Sequence, residues 1–191
     1  MVDNGILTAM NDPWVILGQP QSGGILVVCD HASNHVPHEI DLGIDPKLLL
    51  QHIAFDIGVT GVATFLVELS GCAAFLATNS RLVVDLNRYP TDASAIPLIS
   101  DGVEIPGNRL DASGRDARLG RYFHPYHDRL GHLLHHNRPA LILSIHSFTP
   151  RLDSDPHGHR PWEIGVLYNE YETAANLAIE RLEGEGLIVG D

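Results

Sequence analysis

The sequence predicts an α/β fold in which helices sandwich a mixed, mostly parallel sheet. Short, continuous apolar runs are typical of strands buried on both faces, and here they alternate with segments whose apolar residues have helical spacing. Such alternation is characteristic of α/β proteins. The chain has 191 residues, of which 44% are hydrophobic. That is enough for a single domain over residues 1–191.

The first predicted strand is Ile25–Cys29 (ILVVC), which follows an irregular lead-in over residues 1–23. It is apolar throughout and ends abruptly at polar residues, as expected of a central strand. The other segments with strand composition are 73–77, 82–84, 140–145, 164–168 and 187–189.

Helices are predicted between these strands from apolar spacing and from end signals. Asp45 is the expected N-cap of a short helix, and Gly71 closes a longer one. Two segments rich in polar and turn residues are predicted to be loops, and the first is long enough to cover a site. The predicted helices are 46–52, 56–69, 116–137 (interrupted near Pro125) and 170–182, and the loops are 90–115 and 150–161.

Composition excludes several classes of partner. Twelve Lys and Arg against 24 Asp and Glu give a net charge of -12, which repels nucleic-acid phosphates. No apolar run approaches ~18 residues, so no membrane partner is expected, and the N-terminus does not resemble a secretion signal. Cys29 and Cys72 lie in apolar runs and are expected to be reduced thiols. We therefore expect a cytoplasmic protein, whose oligomeric state the sequence does not indicate.

Polar residues follow three of the predicted strands, at residues 30–31, 85–88 and 146–147. Ligands of open α/β sheets bind beyond the carboxyl ends of the strands. We therefore expect these three segments to meet at one edge of the sheet, where the functional site should lie.

His31 and His146 each stand just past a predicted strand, where two imidazoles can face one ion. A catalytic zinc site needs three protein ligands and one open position. Asp56, at the start of the predicted helix, is the best third ligand, although such a carboxylate also suits a helix N-cap. Asn34 and Asp30 are rival third ligands. The combination predicts a metal site rather than structural histidines.

Arg81, Asn87 and Arg88 flank the predicted strand 82–84. A guanidinium beside an amide offers a planar fork for a carboxylate. The alternative for Arg88 is a surface salt bridge to Asp85. In so acidic a chain, the arginines favour the capture of an anionic substrate.

Two further residues are candidates for the wall of the site. His127 stands in His124-Pro-Tyr-His127, where both histidines can share a helix face, and we expect it to bond substrate or a metal ligand. A second metal at this pair is the less favoured alternative. Ser147 follows His146 and is expected to donate a hydrogen bond to the substrate.

Five motifs, in order, carry a family resemblance: Val28-Cys-Asp30-His31-Ala-Ser-Asn34, Asp56-Ile-Gly58, Ser80-Arg81 to Asp85-Leu-Asn87-Arg88, His124-Pro-Tyr-His127, and Ser144-Ile-His146-Ser147-Phe148-Thr-Pro150. From about residue 23 to its end, the chain resembles the N-formylglutamate amidohydrolases. Its Asp-Leu-Asn-Arg element is also similar to that of the aspartoacylases and succinylglutamate desuccinylases. A strand ending in Ser-Ile-His is similar to that of the zinc N-acetylmuramoyl-alanine amidases.

The resemblance implies a carboxypeptidase/phosphorylase-like α/β fold and the hydrolysis of N-formyl-L-glutamate, or a related N-acyl amino acid, to formate and the free amino acid. It implies a role in histidine degradation, with a small acyl amino acid as partner. The implied ligands of Zn²⁺ are His31, Asp56 and His146, and the substrate carboxylate is expected near Arg81, Asn87 and Arg88.

Members of this family run on beyond residue 191 into strands that carry a late acidic residue, and in the wider superfamily a late glutamate is the general base. The resemblance therefore implies a chain truncated at its C-terminus, or one without the usual base. Since a general base contributes ~10²–10⁴-fold, we expect poor catalysis. Glu163 and Asp30 are weak substitutes, and no catalytic base is assigned.

Three other functions are compatible with the sequence. One is a cell-wall amidase of the N-acetylmuramoyl-alanine type, which the lack of a signal peptide disfavours. Another is a catalytically impaired homologue that binds zinc or an anion, which a missing base would favour. The last is an α/β interaction module whose histidines are structural, and metal analysis separates it from the others.

Overall fold

The computed structural model describes residues 12–151 and 157–190, in two compact units that divide between Phe148 and Thr149. Both helices and strands are present, which confirms the α/β class. The described strands are β1 (Trp14–Leu17), β2 (Ile25–Cys29), β3 (Ala73–Ala77), β4 (Ile99–Ser100), β5 (Val103–Glu104), β6 (Leu141–Ser144), β7 (Ile164–Gly165) and β8 (Val189–Gly190). The described α-helices are α1 (Val59–Ser70), α2 (Ala112–Arg118), α3 (His124–Asn137) and α4 (Glu172–Gly184).

The first unit is built on a four-stranded sheet in the order β1-β3-β2-β6. Strands β3, β2 and β6 run parallel, and β1 pairs antiparallel with β3. The sheet is therefore mixed, as predicted. Strands β4 and β5 form a separate hairpin, and in the second unit β7 and β8 pair in parallel.

Helices cover both faces of the sheet. Successive side chains of β3 point to opposite faces, and each set packs against a different helix. On one face Phe75 packs against Tyr126 of α3, with ring centroids 4.9 Å apart. On the other face Ala74 lies in a core with Val59 and Ala63 of α1. All five of these residues are buried.

The order of connections creates a crevice between β2 and β6. Helix α1 links β2 to β3 on one face, whereas the chain from β3 to β6 passes through α3 on the opposite face. The chain thus continues from β2 to its neighbour β3, and later returns to β6, the neighbour on the opposite side of β2. Ligands of open α/β sheets bind at such a switch point, beyond the carboxyl ends of the strands.

Two strand predictions were wrong. Residues 12–23 are not an irregular lead-in, because the apolar run at Trp14–Leu17 is strand β1, paired with β3. Residues 82–84 are not a strand: Leu82 and Val83 lie in a turn and residue 84 is irregular, although Leu82 and Val83 are fully buried. Since β1 occupies the position beside β3, this segment buries its side chains without joining the sheet. Residues 1–11 lie outside the described chain.

The remaining predictions differ from the structure mainly at element ends. The strands predicted at 25–29 and 73–77 are confirmed, 140–145 shortens to β6, and 164–168 shortens to two residues. The predicted loop 90–115 contains the β4–β5 hairpin and the start of α2, and residues 152–156 of the other loop lie outside the described chain.

The predicted helix ends follow the expected signals. Asp45 accepts a hydrogen bond from Lys47 N at the start of a 3-10 helix over Pro46–Leu50. Gly71, in the left-handed conformation at φ 68°, ends α1. The predicted interruption near Pro125 is a π-helical turn over Leu119–Phe123, between α2 and α3. No helix in the two described ranges is long and apolar enough to cross a membrane.

A buried serine ties together two segments that lead to the sheet edge. Ser80 Oγ donates to the carbonyl of Ala54 (2.7 Å) and accepts from Leu82 N (3.1 Å). The same Ala54 carbonyl accepts from Arg81 N at 3.1 Å. Because Ala54 lies two residues before Asp56, these bonds position Asp56 relative to the turn that follows Ser80.

We expect Ser80→Ala to lower the free energy of unfolding by about 1–3 kcal/mol, because buried backbone groups lose a hydrogen-bond partner. Ser113→Ala, at an exposed position of α2, is the matched control and should change stability by no more than about 0.5 kcal/mol. Urea unfolding followed by circular dichroism measures both. Equal stabilities of the two variants would contradict the role given to Ser80.

Candidate metal centre

Two histidines and one carboxylate meet at the crevice between β2 and β6. His31 follows β2, His146 follows β6, and Asp56 precedes α1. The ring centroids of the two histidines are 5.1 Å apart, and one ligand atom from each of the three residues lies within 4.8 Å of the others. These residues form the one such group of three in the described chain that is able to hold a metal ion.

Asp56 directs its carboxylate at both histidines. Its Oδ2 is 2.8 Å from His146 Nδ1 and 3.5 Å from His31 Nδ1. The alternative in which Asp56 caps the helix is wrong, because α1 begins at Val59 and its N-cap is Gly58, with no side-chain hydrogen bond.

The rival third ligands have other partners. Asn34 donates its side-chain amide to the Leu49 carbonyl at 2.9 Å. Asp30 accepts a 2.6 Å hydrogen bond from the hydroxyl of the buried Tyr126. Asp56 is thus the carboxylate that faces the two histidines.

The donor atoms fit a zinc-like divalent ion. His31 Nδ1 is buried and has no hydrogen-bond partner among the described residues, a costly arrangement that a cation would relieve. The distances from Asp56 Oδ2 to His31 Nδ1 (3.5 Å) and to His146 Nδ1 (2.8 Å) lie on either side of the ~3.3 Å between neighbouring ligands of a tetrahedral ion with bonds of ~2.0–2.1 Å. Two imidazoles and a carboxylate are also a ligand set that zinc uses in catalytic sites.

Asp85 orients His31, a role that the sequence analysis missed. Its Oδ1 lies 2.8 Å from His31 Nε2, and both side chains are buried. Because an ionised carboxylate only accepts, Nε2 carries the proton, and the lone pair of the neutral ring is on Nδ1. Such outer carboxylates fix the tautomer of metal-binding histidines. The only sequence signal was an acidic residue inside the Asp-Leu-Asn-Arg motif.

The charges at this centre shift each other's pKa. Burial lowers the pKa of His31, but the carboxylates of Asp56 and Asp85 outweigh burial and leave it raised. Burial raises the pKa of Asp85, but His31 and Arg81 lower it to about 2. Asp56 is likewise held well below its usual pKa, by its two histidine partners against the effect of burial. Both carboxylates are therefore ionised at neutral pH.

The predicted substrate-binding arginines have different surroundings. Arg81 donates to Asp85 Oδ2 at 2.7 Å and approaches Asp56 Oδ1 at 3.6 Å, so its guanidinium balances the carboxylates of the centre. Asp85 is therefore paired with Arg81, and not with Arg88 as in the alternative salt bridge. Arg88 and Asn87 instead line an adjacent cavity.

This cavity has a volume of about 580 Å³ and also contains His127 and Ser144 in its wall. Ser144 Oγ is 3.2 Å from His146 Nε2, so the cavity adjoins the candidate metal ligands. His127 Nε2 donates to the Leu86 carbonyl at 3.0 Å. Ser147 is exposed beside His146 and is not among the residues that line the cavity. Ser144 thus links the cavity to a candidate metal ligand, a contact that the sequence analysis did not predict.

The thiol of Cys29 is unsuited to nucleophilic chemistry. Burial, with the charges of Asp30 and Asp56, raises its pKa to about 12. It is therefore protonated at neutral pH, and a thiol is a poor nucleophile.

Comparison with known proteins agrees with this geometry. A family model described as N-formylglutamate amidohydrolase matches residues 23–191. The chain belongs to this family. The family is one of amidohydrolases, and its matched region contains all three candidate metal ligands. Among curated protein sequences, none matches the chain.

Two solved structures resemble the chain. A gene product from Agrobacterium tumefaciens has 33% sequence identity and a TM-score of 0.86, over 95% of this chain and 73% of that one. An N-formylglutamate amidohydrolase from Ralstonia eutropha JMP134 has 15% identity and a TM-score of 0.58, over 93% of this chain and 75% of that one. At that lower identity, the second likeness shows the fold.

We expect Asp85→Asn to weaken zinc binding by about 10–100-fold, because His31 loses the carboxylate that fixes its tautomer. Asp45→Asn, at an exposed helix cap, is the matched control and should bind as the parent does. Competition with a chromophoric chelator measures both affinities. Unchanged affinity in Asp85→Asn would remove Asp85 from the centre.

The same charges predict a pH optimum for the stability of the metal-free protein. The lowered pKa of Asp85 adds stability above its ordinary value of 3.8, which is lost as pH falls towards about 2. The raised pKa of His31 adds stability below its ordinary value of 6.5, which is lost as pH rises through the raised value. Stability should therefore be greatest between pH 3.8 and 6.5.

Urea unfolding of chelator-treated protein from pH 2 to 9 tests this expectation. Asp85→Asn should flatten the loss of stability on the acid side and lower the stability at pH 5, whereas Asp45→Asn should leave the profile unchanged. If stability falls equally at acid pH in Asp85→Asn and in the parent, the acid-side loss of stability is not due to the carboxylate of Asp85.

Proposed function

We propose that the protein is a metal-dependent amidohydrolase that cleaves the amide bond of a small N-acyl amino acid. The observation that carries the proposal is the buried, unpartnered His31 Nδ1, which faces Asp56 beside a cavity that contains Arg88. A metal ion or a proton at His31 Nδ1 would relieve its lack of a partner, and the guanidinium of Arg88 in the cavity wall suits an anionic ligand. Membership in a family of amidohydrolases supports this reaction.

His31, Asp56 and His146 would hold the ion, with zinc as the proposed metal. Bound zinc supplies Lewis acidity, which polarises an acyl carbonyl and acidifies water. Asp85 holds the His31 ring in the tautomer that leaves Nδ1 available, and Arg81 balances the two buried carboxylates. The ligand set would therefore be in place before a substrate binds.

The cavity residues would hold the amino-acid half of the substrate. The guanidinium of Arg88 and the amide of Asn87 are suited to a carboxylate, and binding there would orient the scissile amide at the metal ligands. His127 shares the cavity wall and is proposed to contact the same half. We retain Arg81 as an electrostatic contributor and Ser147 as a candidate donor at the exposed rim.

N-formyl-L-glutamate, the compound in the family's description, is the first substrate to test, with formate and the free amino acid as products. A carboxypeptidase-like arrangement of the fold and a role in histidine degradation belong to the same proposal. We propose a small-molecule partner rather than nucleic acid, because the net charge is -12. Unpaired thiols at Cys29 and Cys72 support the proposed cytoplasmic location.

The proposal is tested by formate release from N-formyl amino acids, with zinc-loaded protein. Removal of the metal by a chelator should abolish turnover, and added zinc should restore it. Asp56→Ala should lose both stoichiometric zinc and activity, whereas Asp45→Ala, at an exposed cap, should keep both. Arg88→Lys should raise KM, because the bidentate fork is lost.

Two results would contradict the proposal in different ways. Turnover that survives both metal removal and Asp56→Ala would exclude a metal mechanism. Stoichiometric zinc binding without turnover of any N-acyl amino acid would instead indicate a homologue that binds zinc and anions without catalysis.

A further inference from the structure

The cavity beside the candidate metal centre contains few positive charges. Among the described residues that line it, Arg88 is the one cation, and Asp30 and Asp92 are carboxylates. Both carboxylates already act as acceptors: Tyr126 donates to Asp30 at 2.6 Å, and Ser94 donates to Asp92 at 2.8 Å. With Arg88 counted as +1 and each carboxylate as -1, these lining side chains have a formal charge of -1.

The two arginines nearest in sequence or in space do not supply a second free cation. Arg81 is paired with the carboxylates of Asp85 and Asp56 and is not a lining residue. Arg115 donates to the backbone carbonyls of Pro90 and Asp92, so it holds the loop that carries Asp92. Either guanidinium would have to leave its partners to meet a substrate.

The rest of the wall is largely apolar. Helix α3 and the segment before it contribute Phe123, Leu130 and Leu134, strand β6 contributes Ile142, and Leu86 precedes the Asn87-Arg88 pair. A carboxylate placed against such a wall would be desolvated without a partner, which is costly. An apolar group placed there would gain from leaving water.

We infer that the cavity selects N-acyl amino acids with a single carboxylate and an apolar side chain, in preference to dicarboxylates such as N-formylglutamate. The inference rests on the proposed function and narrows its substrate class. Arg88 takes the one carboxylate, and the side chain lies against the apolar wall. A dicarboxylate would bring a second negative charge to a wall that already has more carboxylates than cations.

The size of the cavity agrees with this class. Its volume of about 580 Å³ is within the ~300–1,000 Å³ usual for small-molecule sites. It therefore has room for a large side chain such as that of leucine or phenylalanine. The formyl group is the smallest acyl group and needs little of this space.

The test compares N-formyl-L-leucine, N-formyl-L-phenylalanine and N-formyl-L-glutamate with zinc-loaded protein. We expect kcat/KM for the two apolar substrates to exceed that for the glutamate compound by about tenfold or more, as an apolar pocket discriminates. Calorimetric binding of N-acetyl-L-leucine and N-acetyl-L-glutamate gives a second readout that does not depend on turnover.

A charge variant tests the cause of the selectivity. Ile142→Arg adds a cation at a half-exposed position of the wall and should shift the ratio of the two kcat/KM values towards glutamate by about two- to fivefold. Ile99→Arg is the matched control, since Ile99 is an exposed strand residue that does not line the cavity. It should leave the ratio unchanged.

Each outcome decides the inference. A preference for N-formyl-L-glutamate in turnover would overturn it while supporting the proposed function. If no compound is turned over, the proposed function fails, and tighter binding of N-acetyl-L-leucine would still support the selectivity of the cavity. Equal binding of the two acetyl compounds, or a ratio that Ile142→Arg does not move, would overturn the inference.

Discussion

The buried carboxylate of Asp56 is the group on which the candidate centre depends. Its Oδ2 faces the imidazoles of His31 and His146, which follow different strands, and the guanidinium of Arg81 lies near its Oδ1. A single buried charge is costly unless it is paired, so the sheet edge that contains Asp56 must also hold positive or proton-donating groups. The two histidines and Arg81 meet that requirement without a metal, and a metal ion would replace protons on the same atoms. Ion binding and protonation therefore compete at one place.

The fold positions this carboxylate through backbone contacts and through the topology of the sheet. The carbonyl of Ala54, two residues before Asp56, accepts from Ser80 and from Arg81. These bonds fix the distance between the segment before α1 and the turn that carries Asp85. Asp85 in turn holds His31. The connections change faces between β2 and β6, so both histidines emerge where the sheet leaves a crevice. The groups of the centre thus come from four segments, and each segment makes at least one hydrogen bond to another group of the centre.

Arg81 and Arg88 have different roles, and this difference connects the candidate metal centre to the proposed substrate selectivity. Arg81 forms an ion pair with the buried carboxylate of Asp85, whereas Arg88 lines the cavity. Among the described residues that line the cavity, one guanidinium is available, which suits a ligand with one carboxylate. The remaining wall then has to recognise the rest of the ligand. In this chain the rest of the described wall is largely apolar. Membership in the family therefore supports the reaction more directly than it supports the glutamate side chain.

The sequence by itself determined the α/β class, the strands β2 and β3, and the residue types of the centre. These follow from local patterns: a continuous apolar run needs burial on both faces, and polar residues at the end of such a run lie at the sheet edge. His31, His146 and Asp56 could be grouped for that reason. Only the tertiary structure decided the partners. Asp85 meets His31 across 54 positions of sequence, and no local pattern records such a distance. Residues 82–84 are as apolar and as buried as a strand. They do not form one, because β1 already pairs with the free edge of β3. Burial can be read from composition, but hydrogen-bond partners and sheet neighbours depend on how distant segments compete for the same positions.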